Sequence, residues 1–442
     1  MTSSALTETD VISCPVPDVD LGRQLFDRLR DIGFDGRGMT RPSYGREENL
    51  AHALFMDTAC GYGLEIRRDW ASNLFLTLPG RDRNLPAVMT GSHVDTVPCG
   101  GNFDGAAGAV AGLLVLCSWV EAGFRPERDT TLIVIRAEES VWFPLSYLGS
   151  RTAFGLLDPS ALDMPRSDDG VSLRQHMLEC GAEPGLCGRA PVLDSAKIDC
   201  FVELHIEQGP VLPEAGVPIG IVTGICGSTR YRSIVIHGQY AHSGATPRRF
   251  RSDAVMAGAS MMVALHDAWK KVEAAGEEMT LTFGVCQTDP GQANFAAVSG
   301  RLELVIDIRS RDEVLLERMN ALVIEQARRV EADYHVQVDL GERTCSTPAV
   351  MDETLQVEAR ILAAAMGLPV ISMPSGAGHD AATFAGQGVP TEMLFVRNAN
   401  GSHNPDESME MDDFMHGVRL LERLLRKRAG QLLPRTSAYG WG

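Results

Sequence analysis

The sequence predicts an α/β fold in which a mainly parallel-sheet domain is interrupted by a smaller α+β domain. Towards both ends of the chain, apolar strand-like runs alternate with helix-like runs. This alternation is typical of a parallel sheet that is covered by helices on both faces. The middle of the chain, 214–338, has a different order of elements. A length of 442 residues also favours two hydrophobic cores over one.

The outer segments carry the signals of the larger domain. Four continuously apolar runs that end in polar residues predict buried strands, at 87–96, 131–140, 199–209 and 391–398. The apolar run 105–123 predicts a buried helix after the first strand. Apolar residues at helical spacing predict one helix at the start of this domain and another at its end: Leu21, Leu25, Phe26, Leu29 and Ile32, then Phe414, Val418, Leu421 and Leu425.

The middle segment predicts a compact α+β insert with two helices against one sheet. Its predicted helices span about 252–272 and 312–331, and its predicted strands lie near 220–225, 231–237, 280–286, 301–308 and 334–340. We therefore assign 214–338 to the insert, and 19–213 with 339–442 to the larger, discontinuous domain. Residues 1–18 are polar and contain proline, so we predict a flexible N-terminal arm.

Composition limits the partners and the compartment. The formal net charge of -18 argues against nucleic acid or an anionic membrane as the main partner, because both need a basic surface. The N-terminus lacks the basic start and apolar core of a secretory signal, and no run reaches the ~20 apolar residues that span a bilayer. The ten cysteines include no Cys-x-x-Cys pair, and we interpret them mostly as reduced core thiols of a cytoplasmic protein.

Polar side chains collect where the first predicted strand ends, in GSHVDTVPCGGNFDG (91–105). Open α/β sheets bind ligands at the carboxyl ends of their strands. His93 is a candidate metal ligand, and Asp95 is a candidate carboxylate to orient its imidazole. Asp104 lies in a glycine-rich turn that lets the backbone bend so that this carboxylate faces inward. The alternative is a polar strand end followed by an ordinary glycine loop.

Three further motifs follow the other predicted strands: RAEES (136–140), ELHIEQGP (203–210) and NGSHNPDE (400–407). In the first, one of the two glutamates, Glu138 or Glu139, can bind metal while the other meets the water that attacks the substrate. His205 and His403 supply imidazoles at two more strand ends. This mixture of nitrogen and oxygen ligands suits Zn, Mn, Co or Ni better than Ca or Mg.

Six motifs that occur in order between about residues 45 and 425 resemble one branch of the M20 metallopeptidase superfamily: GSHVDT, GGNFDGAAG, AEES, HIEQGP, GAGHDA and GSHNP. This amidase, hydantoinase and carbamoylase branch includes N-carbamoyl-L-amino acid hydrolases, β-ureidopropionases and allantoate amidohydrolases. The resemblance implies an amidohydrolase that cleaves a linear C–N amide of a small carboxylate-bearing substrate. Among such substrates, the resemblance points first to an N-carbamoyl or N-acyl amino acid.

By this resemblance the larger domain holds two divalent ions and the insert is a lid and dimerisation domain. Glu138 would be the general base, and Asp104 would bridge the ions. The implied ligands are His93, Asp104 and His205 for one ion, and Asp104, Glu139 and His403 for the other.

The resemblance also implies substrate contacts. His242 would stabilise the oxyanion in the partner subunit of a homodimer, and Asn294 and Arg309 would bind a substrate carboxylate. Further contacts would come from Gln208, Gly376, Gly378 and His379.

The sequence departs from the family pattern at several positions. Trp142 replaces the usual arginine after the tandem glutamates, which predicts a more apolar edge of the site and a substrate with an apolar portion there. The spacing between Asn294 and Arg309 is also two residues longer than expected. The alternatives are an aminoacylase or dipeptidase of the same superfamily, or a non-catalytic binding protein that kept the fold.

Overall fold

The computed structural model describes residues 15–189 and 191–430, which form two compact units. Unit 1 contains the described residues up to Thr223, together with Met351–Met373 and the segment from His379 onward. Unit 2 contains Gly224–Val350 and Pro374–Gly378. The predicted insert, 214–338, therefore starts and ends somewhat earlier in the chain than unit 2. The predicted arm at 1–18 lies, as far as residue 14, outside the described residues.

The described residues form the following α-helices: α1 (Val19–Gly33), α2 (Arg46–Gly61), α3 (Ala106–Glu121), α4 (Leu148–Ala153), α5 (Leu173–Glu179), α6 (Val211–Ala215), α7 (Ala254–Ala274), α8 (Glu313–Tyr334), α9 (Glu353–Ala365), α10 (Asp380–Gly386) and α11 (Met411–Arg428).

The strands are β1 (Glu65–Arg68), β2 (Leu74–Leu78), β3 (Ala87–His93), β4 (Thr130–Ile135), β5 (Ile198–Ile206), β6 (Ile219–Ile225), β7 (Gly227–His237), β8 (Ala241–His242), β9 (Thr280–Thr288), β10 (Ala297–Val298), β11 (Arg301–Ser310), β12 (Gln337–Asp339), β13 (Arg343–Ser346), β14 (Ala349–Val350), β15 (Val370–Ser375) and β16 (Thr391–Val396).

The sheet of unit 1 has the strand order β1-β2-β4-β3-β5-β16-β6. Its centre is parallel, since β3 pairs with β4 and β5, and β16 pairs with β5, in that sense. Strands β2 and β1 continue the sheet in the antiparallel sense beyond β4, β6 pairs antiparallel with β16, and β15 also pairs with β6. The central strands are almost wholly buried, which explains their continuously apolar sequences. The predicted α/β class with a mainly parallel sheet is confirmed.

Helix α3 lies directly against this sheet and is buried along nearly its whole length. Its glycines make the close approach possible. A Cβ atom on Gly108 would lie 2.1 Å from the carbonyl oxygen of Leu204 in β5, and one on Gly112 would lie 2.8 Å from Leu132 in β4. Helices α1 and α11 add amphipathic faces that are buried in the same core, through Leu25, Phe26, Leu29, Phe414, Val418, Leu421 and Leu425.

Unit 2 is an antiparallel sheet with two helices, as predicted for the insert. The strand order is β12-β7-β11-β9, and β13 also pairs with β7. Buried and half-buried residues alternate along β11, because one face of the sheet is covered by α7 and α8 and the other is not. Ile234, Ile236, Leu302 and Leu304 belong to the core between the sheet and these helices.

The nine cysteines in the described ranges are all free thiols. Cys60, Cys286 and Cys345 are exposed, so the interpretation as core thiols applies only to buried ones such as Cys117 and Cys200. Within the same ranges, no helix combines the length and the apolarity that a membrane crossing requires.

Candidate metal centre

The five predicted ligands lie together at the carboxyl ends of neighbouring strands in unit 1. His93 is the last residue of β3, and His205 is the last but one of β5. Glu139 follows the end of β4, and His403 lies in the loop after β16. Asp104 occupies the turn just before α3. The parallel pairing of these strands brings together side chains that are up to three hundred residues apart in sequence.

Three of these side chains form an inner ligand set, which we define as His93, Asp104 and His205. The Oδ1 atom of Asp104 lies 3.3 Å from Nε2 of His205 and 3.7 Å from Nε2 of His93. Ligand atoms on a tetrahedral ion with bonds of about 2.1 Å are about 3.4 Å apart. The three buried donor atoms are therefore spaced as ligands of one ion.

The outer ligand set consists of Asp104, Glu139 and His403. Here Nε2 of His403 lies 3.3 Å from Asp104 Oδ2 and 3.4 Å from Glu139 Oε1. The two oxygens of Asp104 thus face different sets, which is the geometry of a bridging carboxylate. The His403 side chain is 53% exposed, whereas the ligands of the inner set are buried.

The environment of Asp104 fits a cation. Its Oδ1 atom is buried and receives no hydrogen bond within the described residues. A buried carboxylate oxygen without a donor is costly, and a divalent ion between the histidines would remove that cost. Burial alone would raise the pKa of Asp104, but the adjacent imidazoles of His205 and His403 outweigh it and hold this pKa well below its usual value.

The two inner histidines direct their Nε2 atoms towards Asp104, and their Nδ1 atoms face carbonyl oxygens. His205 Nδ1 donates to the carbonyl oxygen of Ile206 at 2.8 Å, and its Nε2 accepts a hydrogen bond from Gly105 N at 3.1 Å. His93 Nδ1 lies 3.1 Å from the carbonyl oxygen of Asp95 and 3.3 Å from Oδ1 of that residue. The Nδ1 atoms therefore carry the protons, which leaves the Nε2 lone pairs available to a metal.

Asp95 joins three parts of the site. Its Oδ1 accepts a hydrogen bond from Glu138 N at 3.1 Å, and its Oδ2 accepts one from Glu139 N at 3.2 Å. Ser43 Oγ donates to the same Oδ2 at 2.6 Å. Because Asp95 is fully buried and also contacts His93, it fixes both glutamates relative to an inner ligand.

The tandem glutamates diverge. Glu139 faces His403, whereas Glu138 Oε2 lies 4.0 Å from Nε2 of His93, beside the inner set. Burial raises the pKa of Glu138 well above its usual value, and the nearby carboxylates of Glu139 and Asp380 add to this effect. A raised pKa makes the ionised Glu138 a stronger base near neutral pH.

Neighbouring carboxylates raise the pKa values of His403 and His93. Hydrogen bonds to Asp104 and Glu139 raise the pKa of His403 to about 11. Burial opposes protonation of His93, but Asp95, Glu138 and Asp104 raise its pKa well above the usual value. A metal must displace such protons, so binding is coupled to proton release.

Two predicted substrate contacts in unit 1 lie next to the ligands. Gln208 Nε2 donates to Asp104 Oδ2 at 2.7 Å, and its Oε1 is a buried atom with no hydrogen-bond partner in the described ranges. His379 is buried with its ring 4.5 Å from that of His205. Glu203 also lies close to His205 and His379, and its two oxygens accept hydrogen bonds from Ser92 Oγ and Ala381 N.

The remaining predicted contacts lie in unit 2. Arg309, in β11, donates to the carbonyl oxygen of Gly376 at 2.9 Å and pairs with Asp307 at the same distance. The structure therefore brings Arg309 and Gly376 together, with Gly378 two residues further on.

His242 and Asn294 form a second neighbourhood in unit 2. Strand β8, which ends at His242, pairs with β10, which begins three residues after Asn294. His242 is exposed, and its Nδ1 accepts hydrogen bonds from Gly244 N and Ala245 N at 3.1 Å each. The other ring nitrogen, Nε2, is therefore the one that remains for a ligand.

The expectation for Trp142 is wrong. Its side chain is 4% exposed, and Nε1 donates to the carbonyl oxygen of Thr96 at 2.7 Å. The indole belongs to a satellite core with Phe143 and Leu148, so it offers a substrate no apolar surface. The exposed apolar residue in this loop is Val141, at 41%.

Several residues that shape the site were missed in the sequence. Arg41 is fully buried and donates to the carbonyl oxygen of Val94 at 2.6 Å and to Asn102 Oδ1 at 3.2 Å. Ser402 and Glu407 contact Asp104 and its loop. Glu407 belongs to the NGSHNPDE motif, where its position next to a candidate ligand was a usable signal. Arg41 lies in a segment with no other catalytic feature, so the sequence gives no comparable signal for it.

Comparison with known proteins gives one consistent result. Residues 89–427 match the profile of peptidase family M20/M25/M40. The allantoate amidohydrolase of Escherichia coli (strain K12) is 34% identical over 406 residues, which cover 91% of this chain and 96% of that protein. The N-carbamoyl-L-amino-acid amidohydrolase of Paenarthrobacter aurescens is 32% identical over 403 residues, with 90% and 95% covered. A crystal structure of an amidase of the hydantoinase/carbamoylase family from Burkholderia multivorans has a TM-score of 0.82 at 27% identity, covering 95% of this chain and all of that one.

Proposed function

The chain belongs to peptidase family M20/M25/M40, and on that premise we propose that it is a two-metal amidohydrolase of small N-carbamoyl or N-acyl amino acids. As in its relatives, the bond it cleaves is a non-peptide C–N bond. Hydrolysis of an N-carbamoyl amino acid would consume one water molecule and release the free amino acid, ammonia and carbon dioxide.

The observation that carries this proposal is the position of Asp104. One of its oxygens faces His93 and His205, and the other faces His403 and Glu139. A carboxylate that serves two ligand sets at once is what a two-metal hydrolase requires. The buried, unpartnered Oδ1 atom supports the same assignment.

The mechanism follows from Glu138. Two bound divalent ions would supply Lewis-acid polarisation of the scissile carbonyl and would lower the pKa of water. The Glu138 carboxylate accepts the proton of the attacking water and then passes it to the leaving nitrogen. Its backbone is held by Asp95, so the carboxylate stays beside the inner ligand set during both transfers.

We also propose which ions bind, from the chemical types of the candidate ligands. Three imidazoles and two carboxylates favour Zn, Mn, Co or Ni over the hard ions Ca and Mg.

The roles of the remaining predicted residues stay proposals. Oxyanion stabilisation by His242 and carboxylate binding by Asn294 and Arg309 rest on the resemblance, and the planar guanidinium of Arg309 suits a carboxylate. The same holds for substrate contacts by Gln208, Gly376, Gly378 and His379. For Gln208, the buried Oε1 without a partner supports a role as acceptor for a substrate N–H group.

We also propose that the protein is a cytoplasmic homodimer in which unit 2 makes the subunit contact. In unit 2, Phe295 is fully exposed and Phe250 is 65% exposed, and β9 is an edge strand of its sheet. Exposed aromatic side chains and free strand edges are typical of surfaces that bind another chain. Light scattering coupled to gel filtration tests this, and a monomer at micromolar concentration would contradict it.

The experiment for the reaction is a substrate panel with metal-reconstituted protein. Allantoate, N-carbamoyl-L-amino acids and N-acetyl-L-amino acids are assayed separately for ammonia and for acetate, with Glu138→Gln as the inactive control. Release of ammonia from a carbamoyl compound or allantoate supports the proposal. Release of acetate alone would assign the chain to the aminoacylases, and equal inactivity of wild type and Glu138→Gln would favour a binding protein.

A further inference from the structure

We propose that Glu407, acting through Ser402, is a positioning residue that locks the loop of Asp104 to the loop of His403 and thereby sets the affinity for the ion of the outer ligand set. This inference rests on the proposed two-metal function. Neither Glu407 nor Ser402 is itself in a ligand set, so their effect is exerted on ligands.

The first link is between Glu407 and the backbone of the Asp104 loop. Glu407 Oε1 accepts hydrogen bonds from Phe103 N at 2.8 Å and from Asp104 N at 3.2 Å. These two residues lie some three hundred positions earlier in the chain. A single carboxylate oxygen therefore fixes the backbone of the bridging ligand from the opposite loop.

The second link runs through Ser402. Its Oγ atom lies 2.6 Å from Glu407 Oε2 and 2.5 Å from Asp104 Oδ2. The latter is the oxygen of Asp104 that faces His403. Glu407 thus holds the backbone of Asp104 directly, and Ser402 lies between Glu407 and the oxygen that the outer ion needs, where its single hydroxyl hydrogen is donated to one of the two carboxylates at a time.

We call Glu407 and Ser402 together the clamp. The residues around the clamp leave space for the Glu407 side chain and bury it. A Cβ atom on Gly101 would lie 2.1 Å from the carboxyl carbon of Glu407, so only glycine leaves room for the side chain. Glu407 is 7% exposed. Its loop is closed by reciprocal backbone hydrogen bonds between Ala399 and Ser408, at 2.8 and 3.1 Å.

The two ligand sets depend on the clamp to different degrees. In the inner set, His93 and His205 lie on strands and have hydrogen bonds of their own. In the outer set, His403 is half exposed and lies in the loop that carries Glu407. Loss of the clamp should therefore lower the affinity for the ion of the outer set much more than the affinity for the ion of the inner set.

The test is a Zn²⁺ titration of chelator-treated full-length protein by calorimetry, with metal content measured after dialysis. In Glu407→Ala we expect affinity for one of two ions to fall by about 10- to 100-fold, the range seen when partners of metal ligands are removed. Glu407→Gln should stay within about threefold of wild type, because its oxygen can accept from the two backbone N–H groups and its amide can donate to Ser402. Glu422→Gln is the matched control, since Glu422 is an equally buried glutamate that accepts from Trp119 Nε1, in the middle of α11.

Each possible result of this titration either supports the inference or overturns it. Unchanged binding of two ions by Glu407→Ala overturns the inference, and so does an equal loss in Glu407→Ala and Glu407→Gln. If Glu407→Ala does not fold, Ser402→Ala replaces it, because it removes only the second link; unchanged affinity in that variant overturns the clamp. Wild type that binds two ions but hydrolyses no compound of the panel would refute the proposed reaction and leave the clamp standing. Wild type that binds fewer than two ions would overturn both.

Discussion

Replacing Asp95 by asparagine should destabilise the protein and weaken its metal site at the same time. Asp95 accepts hydrogen bonds from the backbone of Glu138 and Glu139, from Ser43 and from the His93 ring. Asparagine has one acceptor oxygen and one donor group in the same space. With its oxygen towards Glu138 and His93, its amide can donate to Ser43, but the N–H of Glu139 then has no acceptor.

The expected loss of stability follows from this one lost hydrogen bond, in which Glu139 N is the donor. A hydrogen bond to a charged group contributes about 1.5–3 kcal/mol, and an unsatisfied buried donor costs about 1–3 kcal/mol. We therefore expect the free energy of unfolding of the metal-free protein to fall by about 2–4 kcal/mol. Because Glu139 and His93 belong to different ligand sets, affinity for both ions should also fall, by about 10- to 100-fold.

Urea unfolding of metal-free protein, followed by circular dichroism, measures the first effect, and Zn²⁺ titration measures the second. Asp163→Asn is the control, since Asp163 has an exposed side chain paired with Arg174 and should change stability by less than about 0.5 kcal/mol. If Asp95→Asn were as stable as this control, the role of Asp95 in joining the three parts of the site would be refuted.

Three other perturbations test separate parts of the structure. Glu138→Gln should retain both ions but lower kcat by about 10²- to 10⁴-fold, and an enzyme with more than a tenth of the wild-type rate would exclude Glu138 as the base. Gly108→Ala should lower stability by about 1–3 kcal/mol in urea unfolding, because its Cβ would lie 2.1 Å from Leu204 O; unchanged stability would contradict the close packing of α3. The pKa of His403 is raised to about 11, so protonation of this side chain stabilises the metal-free folded state. The stabilisation is complete below pH 6.5 and is lost as the pH rises through 11. Zn²⁺ binding at pH 7 should therefore release protons, measured as an enthalpy that depends on the ionisation heat of the buffer, and an enthalpy independent of the buffer would contradict the shift.

Much of the fold could be predicted because buried parallel strands have continuously apolar sequences. The strand predicted at 131–140 corresponds to β4, and the helix predicted at 312–331 corresponds to α8. The errors of prediction lie mostly at the ends of helices and strands. Helix α8 continues to Tyr334, the residue at which a strand was predicted to begin, and the observed strand β12 starts only at Gln337. Strands β1 and β2 were not predicted. Strand β1 is exposed along its whole length and carries no apolar pattern, whereas the sequence of β2 is apolar and its first three residues are buried.

The candidate ligands could be named from the sequence, but most of the residues that support them could not. A histidine or glutamate at a strand end is visible as a residue type. The bonds from Phe103 N and Asp104 N to Glu407 depend on the tertiary fold, and only the position of Glu407 near His403 in one motif is visible in the sequence. Trp142 shows the opposite error. An aromatic residue in an active-site motif has two interpretations, a surface for substrate or part of a core, and only packing against Phe143 and Leu148 decides between them.

The place of β16 in the sheet has a consequence for biosynthesis. This strand lies between β5 and β6, although the whole of unit 2 separates it from them in the chain. On the ribosome the central sheet therefore stays open until Thr391 has emerged. At about 5–20 residues per second, the interval between Ile206 and Thr391 lasts on the order of 10 to 40 s. During that time the nascent chain contains His93 and His205 but not His403, so the proposed outer ligand set stays incomplete until translation is nearly finished.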